Sequence, residues 1–188
     1  MLWRYNPKLI QCLNRLDNGG VIAYPTEAVW GVGCDPFNEQ AVEAVLQLKS
    51  RPWQKGLILI ASDITQFDFL LHDVTDAHYT QLQLSWPGHN TWLVPHQQRI
   101  PEVVCGTHNS VAIRVSDHPV VRALCETHGG PIISTSANPA GKASAKTALA
   151  VRRYFHKTSL VLAPGHVGKQ RSASCIRDLT SGKIIRSS

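Results

Sequence analysis

Lys49, Arg51 and Lys55 fall within seven positions of one another in the stretch LKSRPWQKGLILI, residues 48–60. Cations so placed, between an apolar-periodic segment and an apolar run, need something negative to face. A helix C-terminus, a neighbouring carboxylate, a nucleic acid or the phosphates of a substrate would each serve. Arginine can grip phosphate oxygens with a two-pronged fork, whereas lysine acts as a point charge. Other polar groups collect at the ends of apolar runs. Tyr24-Pro25-Thr26-Glu27 follows VIA; Ser110 precedes VAIRV, which holds Arg114 and is followed by Asp117; Thr135-Ser136-Ala137-Asn138 follows PIIS. Ligands of open α/β sheets gather in the crevice outside the strand ends. Hydroxyls, an amide and several cations converging there would suit a polyphosphate and a small polar substrate. Serine and asparagine are also ordinary turn residues, so the elements that carry them matter.

The periodicities predict an α/β chain. Residues 7–18 carry Leu9, Ile10, Leu13 and Leu16 on one helical side and stop at Gly19-Gly20. VIAYP reads as a buried strand. Asn38 can cap a helix through EQAVEAVLQLKS, and LILIA is the next strand. Residues 63–84 read as one or two helices. TWLVP and VAIRV are strands, Asp117 caps a helix over HPVVRALCETHGG, and PIIST is a strand. A helix over 147–155 precedes the late strands LVLA, SCIRD and KIIR. The fold class is α/β, a single-domain twisted mixed sheet of about seven strands with flanking helices and a basic concave face. No repeat or linker divides residues 1–188, so one domain is expected.

Composition excludes several classes. No stretch approaches the roughly 18–20 apolar residues of a membrane span, and the N-terminus has charges where a signal peptide has its apolar core. Five scattered cysteines without CxxC spacing point to a reducing cytoplasmic setting, not to disulfides or a thiolate zinc site. The net charge of +6 is uneven: residues 1–78 balance at −3, with six Lys/Arg against nine Asp/Glu. Residues 79–188 balance at +9, with thirteen Lys/Arg against four Asp/Glu. A basic half fits an anionic partner, nucleic acid or phosphorylated small molecule, and fits a solvated basic face as well.

Some motifs fail on inspection. GVGCDP begins like a dinucleotide fingerprint, but Pro36 stands where the last glycine belongs. AGKAS echoes a phosphate loop without its first glycine, and no GxSxG elbow supports a hydrolase serine. The nine histidines show no metal spacing.

Lys49-Ser50-Arg51-Pro52 makes a K-x-R-P segment and Ser136-Ala137-Asn138 a later S-x-N segment. Around them AYPTEAVWGVGCD, SWPG, SVAIRVSDHP and STSAN stand in a specific order and spacing. On these residues the sequence resembles the YrdC/TsaC family of threonylcarbamoyl-AMP synthases over nearly its whole length, in the short, single-domain form. The resemblance implies that L-threonine, bicarbonate and ATP give L-threonylcarbamoyladenylate and pyrophosphate. That product serves the threonylcarbamoyl modification of the adenosine beside the anticodon in tRNAs reading codons that begin with A. It implies Lys49 and Arg51 as catalytic residues at the triphosphate. Lys55, Ser110, Ser136, Asn138, Lys146 and Arg186 are implied as further ATP contacts. Thr26, Arg114, Ser136 and Ser174 are implied as threonine contacts, Arg114 through the carboxylate. No protein metal site is implied; Mg2+ would be held mainly by ATP and water. The implied partners are a downstream threonylcarbamoyl-transferase assembly of the TsaD, TsaB and TsaE type, with tRNA or double-stranded RNA as a further one.

The sequence also departs from the family. Ile60 stands where longer relatives carry a histidine, Pro139-Ala140 where Leu-Ser is frequent, and His89 where proline is common. Two other readings stay open. One is a double-stranded RNA or tRNA-binding module without catalysis, favoured by the +9 half. The other is a carbamoyl-adenylate maturation domain, against which stand the length and the absent CxxC pairs.

Overall fold

The computed structural model describes residues 3–187. Along the chain lie α1 (Pro7–Asp17), β1 (Ile22–Pro25), β2 (Trp30–Gly33), α2 (Glu39–Lys49), β3 (Ile58–Ala61), α3 (Asp68–Leu71), α4 (Asp76–Ser85) and β4 (Asn90–Pro95). There follow α5 (Glu102–Cys105), β5 (Ser110–Val115), α6 (Pro119–His128), β6 (Ile132–Ser136), α7 (Ala148–Tyr154), β7 (Val161–Leu162), β8 (Cys175–Asp178) and β9 (Ile184–Arg186). Among the described residues the strands form one nine-stranded sheet in the order β7-β1-β2-β6-β3-β5-β4-β8-β9. Pairing is parallel at β1–β7, β3–β5 and β4–β8 and antiparallel elsewhere, so the sheet is mixed.

The local starts and stops follow from side-chain chemistry. Asn38 Oδ1 accepts from Ala41 N at 3.0 Å and caps α2, which ends where Ser50 turns left-handed at φ 49°. Asn6 caps α1 and Thr147 caps α7 in the same manner. One expected cap is corrected: α6 is capped by His118, whose ring nitrogen accepts from Val120 N at 3.3 Å. Asp117 is drawn elsewhere, its N–H donating to Glu27 Oε1 at 3.2 Å. The segment 63–84 becomes a 3-10 turn at Ile64–Phe67 followed by α3 and α4.

Strand alternation splits the core into two layers. Ala23, Leu59, Ile113 and Ile133 face one way, toward α2 and the 64–105 region. Ile22, Tyr24, Ile60 and Ile132 face the other, toward α1 and α6. Ile60, at the position of the missing histidine, is thus a buried core residue. Ile58 shares its face, as Ser134 and Ser136 share that of Ile132, yet these lie beyond the two helices. Part of that face is left uncovered, and the polar residues stand there.

The count of nine strands exceeds the seven or so that the sequence predicts, and the unread strand is β2. Its two residues on the face of Ile22 and Tyr24, Gly31 and Gly33, carry no side chain. A Cβ on Gly33 would sit 1.7 Å from the Ile133 carbonyl oxygen, and one on Gly31 would touch the Tyr24 ring at 3.3 Å. The Tyr24 hydroxyl reaches past them to donate to Ile133 O at 2.6 Å. We therefore expect Gly33→Ala to destabilise the fold by about 3 kcal/mol or more, as overpacking against backbone does. Gly130→Ala, where a Cβ meets nothing within 4 Å, should stay within about 0.5 kcal/mol of wild type. Urea denaturation of the two variants side by side tests this; equal midpoints would refute the steric account.

Candidate active site

Two adjoining cavities open on the uncovered face, each of about 260 Å³. Arg51, Leu57, Ile58 and Arg186 line both, so the two form one crevice with a waist. Thr26, Arg114, Ser136 and Ser174 line the first lobe, with Ser134 and His89 beside them. Lys55, Ser110 and His108 line the second, against an apolar wall that includes Leu93, Ile176 and Ile185. Strand geometry explains the layout. Ser110, Ala112 and Arg114 point to one face of β5, about 6.5 Å apart along the strand. They put a hydroxyl at one end and a guanidinium at the other.

In the first lobe Arg114 is buried and its donors are largely committed. Its Nη2 pairs with Glu27 Oε2, and its Nε donates to Gly88 O at 3.0 Å. Nη1 has no partner among the described residues. Glu27 Oε1 in turn accepts from the Ser116 hydroxyl at 2.7 Å. Burial alone would lift the Glu27 carboxyl, but the Arg114 charge and the Ser116 hydroxyl outweigh it and hold the carboxyl below its usual range. Thr26 is buried; its hydroxyl donates to Val29 O at 2.8 Å and keeps its lone pairs free to accept. Ser174, also buried, bonds Thr91 Oγ1 at 2.7 Å. Its carbonyl anchors Arg186 through Nε at 3.2 Å and Nη2 at 2.8 Å.

At the waist the K-x-R-P and S-x-N segments are stitched together. Lys49, 5% exposed, donates from Nζ to Ser136 O and to Asn138 O at 2.8 Å. Its own carbonyl accepts from Ala140 N at 2.9 Å. Burial, and after it the Arg51 charge, press its pKa down to about 8. Arg51 folds back to donate from Nη2 to Gly56 O at 2.9 Å, which aims its half-buried guanidinium along the crevice wall. Burial lowers the Arg51 and Arg186 pKa values too, and the Arg114 charge adds to the lowering at Arg186.

Of the residues singled out from the sequence, Thr26, Arg51, Lys55, Ser110, Arg114, Ser136, Ser174 and Arg186 line the crevice. Lys49 lies behind its wall as the tie between two loops. Asn138 is spent within its own loop: Nδ2 donates to Lys142 O at 2.7 Å, and Oδ1 accepts from Ser144 at 3.4 Å. Lys146 is exposed and lines neither lobe. Sequence reasoning passed over Ser134, Glu27 and His89. Ser134 could have been found by alternation from Ser136. The Glu27 and His89 contacts, Ser116 and Ser172 respectively, lie more than eighty positions away and leave no local signal.

Comparison with known proteins shows which family the chain resembles. The Sua5/YciO/YrdC family profile, described as "Telomere recombination", matches residues 14–188. A threonylcarbamoyl-AMP synthase of Saccharophagus degradans is 59% identical over 184 residues, covering 98% of this chain and 96% of its own. A threonylcarbamoyl-AMP synthase of Pseudomonas aeruginosa is 56% identical over 177 residues, 94% of this chain and 95% of its own. Among solved structures, P. abyssi Sua5 complexed with L-threonine superimposes with a TM-score of 0.85 at 27% identity. That match covers 94% of this chain and 52% of the Sua5 chain, so this chain spans about half of that protein's length.

The Lys49 ammonium supplies a pH test. Its folded pKa of about 8 lies below the roughly 10.4 of a free lysine. Between those values the unfolded chain holds the extra proton, so stability rises with pH across the window. Lys49→Met should abolish that contribution. The urea midpoint of wild type minus that of Lys49→Met should climb between about pH 8 and pH 10.4. A flat difference would mean that the buried ammonium carries no penalty.

Proposed function

This chain belongs to the Sua5/YciO/YrdC family, and we propose that it is a threonylcarbamoyl-AMP synthase whose two-lobed crevice brings threonine and ATP together. One observation carries the reading: Arg51 and Arg186 line both lobes at once, with a buried, half-committed arginine beyond them in the first lobe. A cationic waist between an amino-acid-sized lobe and a longer, apolar-walled one suits an acid that is adenylylated. The enzyme condenses the threonine ammonium group with bicarbonate, losing water and a proton, to form a carbamate. A carbamate oxygen then attacks the α-phosphorus of ATP. The P–O bond to the β-phosphate breaks, and pyrophosphate leaves.

Within that reaction Arg114 takes the threonine carboxylate through Nη1, and the lone pairs of Thr26 Oγ1, Ser136 and Ser174 surround the amino and hydroxyl ends. Arg51 and Arg186 face the reacting phosphate, where fixed donors stabilise developing charge. Lys49, behind the wall, fixes the relation of the two loops and adds its positive charge to the field at the phosphates. Lys55 and Ser110 serve the nucleotide in the second lobe. Asn138 acts through the loop it shapes, and Lys146 has no place in either lobe. Neither lobe is lined by a carboxylate, and no cluster of three metal-binding side chains occurs among the described residues. Magnesium would therefore enter on the phosphates of ATP, neutralising them as it does there.

No helix among the described residues is long and apolar enough to cross a membrane. We propose a single catalytic domain that acts in the cytoplasm. Its product would pass to a transferase assembly of the TsaD, TsaB and TsaE type for tRNA modification. RNA binding without catalysis is the poorer reading. Its phosphates would meet exposed cations, whereas Lys49 and Arg114 are buried.

Incubation with ATP, threonine and bicarbonate should release pyrophosphate and the labile adenylate only when all three are present. Arg51→Ala should lower turnover on the order of 10²-fold, as losing a preorganised donor does. Cleavage of ATP without threonine, or to ADP and phosphate, would overturn the assignment.

A further inference from the structure

The geometry points to Glu27 as a positioning residue for threonine: it holds the Arg114 guanidinium so that the one free nitrogen, Nη1, faces the substrate carboxylate. This rests on the reading of Arg114 given above. Arg114 has three donor nitrogens on a rigid plane. Gly88 O takes Nε at 3.0 Å and Glu27 Oε2 takes Nη2. One hydrogen bond and one ion-pair contact on different nitrogens hold the plane, and the direction of Nη1 follows.

Glu27 is itself held at both ends. Its Oε1 accepts from Ser116 Oγ at 2.7 Å and from Asp117 N at 3.2 Å. Its carbonyl accepts from Gln170 N at 3.0 Å, and the Thr26 carbonyl accepts from Gly168 N at 2.9 Å. The side chains of Arg114 and Glu27 are 8% and 13% exposed, so water can scarcely replace either partner. The Ser116 hydroxyl, by satisfying Oε1, leaves Oε2 to Arg114. The carboxyl stays ionised in this setting.

Removing the Glu27 charge would make the lobe more positive and could attract a carboxylate more strongly. Threonine, however, enters as a zwitterion with no net charge, so a change of net field acts oppositely on its two ends and largely cancels. Orientation does not cancel. An arginine freed of Glu27 can turn toward solvent or away from Arg186, and the substrate must then order it.

The test separates the two ligands. Threonine and a non-hydrolysable ATP analogue are titrated separately by calorimetry into wild type and Glu27→Gln, with thermal unfolding recorded for each. Threonine affinity should fall on the order of tenfold or more, while the analogue binds within about twofold of wild type. A structural defect would weaken both. Should Glu27→Gln fail to fold, Ser116→Ala keeps the ion pair but loosens Oε1, and should weaken threonine alone by about threefold. Equal or tighter threonine binding in a folded variant, or parallel loss of both ligands, overturns the proposal. A wild type that binds threonine yet makes no adenylate would sink the proposed reaction and leave the Glu27 assignment standing on its binding data.

Discussion

The ammonium of Lys49, buried between the carbonyls of Ser136 and Asn138, is the constraint on which the site depends. It stands at the last position of α2 and reaches two carbonyls almost ninety residues further on. The backbone repeats the stitch, since the Lys49 carbonyl accepts from Ala140 N. Once α2 and the end of β6 are joined there, the chain leaving α2 has little choice. Ser50 turns left-handed, Arg51 N donates back to Leu46 O at 2.9 Å, and the Arg51 side chain closes on Gly56 O. The cation-bearing loop and the hydroxyl-bearing loop thus sit on one rigid frame. A buried lysine is expensive without partners. Two carbonyls offset part of that cost, and the depressed pKa shows that part of it remains.

The sheet supplies the second condition. Ligand-facing residues stand two apart on β5 and β6, because only alternate side chains share a face. Along β6 the same alternation that buries Ile132 under α6 exposes Ser134 and Ser136 where the helices end. The glycines of β2 then matter for what they omit. With a side chain at Gly33, β2 could not approach β6 closely enough to pair Val32 with Thr135. The serines of the crevice would lose the neighbour that aligns them.

Most of the fold was legible because its signals are local. Asn38 at a cap, Gly19-Gly20 at a stop and the apolar runs of β3, β4 and β5 each announce themselves within a few residues. β2 was not legible, because the two glycines of WGVG interrupt the strand signal of Trp30 and Val32. The α6 cap was misread because both Asp117 and His118 can accept from a helix N–H, and it is His118 that directly precedes the first helical residue, Pro119. The site divides in the same way. Residues named from the K-x-R-P and strand-end patterns do line the crevice in large part. Their partners do not show in sequence: Glu27 needs Ser116 and Arg114, and Arg186 needs Ser174, all joined by folding alone. Lys49 illustrates the limit, since its type and motif indicate a phosphate contact while its burial gives it a structural tie as well.

The cations also bear on why such an arrangement is kept. Arg51 lowers the pKa of Lys49, and Arg114 that of Arg186; each pair is a like-charge contact in a partly dry crevice. Glu27 compensates Arg114 from behind, but no carboxylate lines either lobe, so the waist keeps uncompensated positive charge. Evolution toward stability alone would remove it, since replacing strained buried charge by apolar groups is often stabilising. An anionic ligand at the waist relieves the repulsion at Arg51, Lys49 and Arg186 together. The relief is available only to a molecule whose negative charge lies at that point, between an amino-acid lobe and an apolar-walled one. On the proposed reading, a triphosphate entering from the second lobe would meet that condition at the phosphorus that the carbamate attacks. Binding and activation would then be the same electrostatic event, with the like charges of the free crevice preorganised for the ligand.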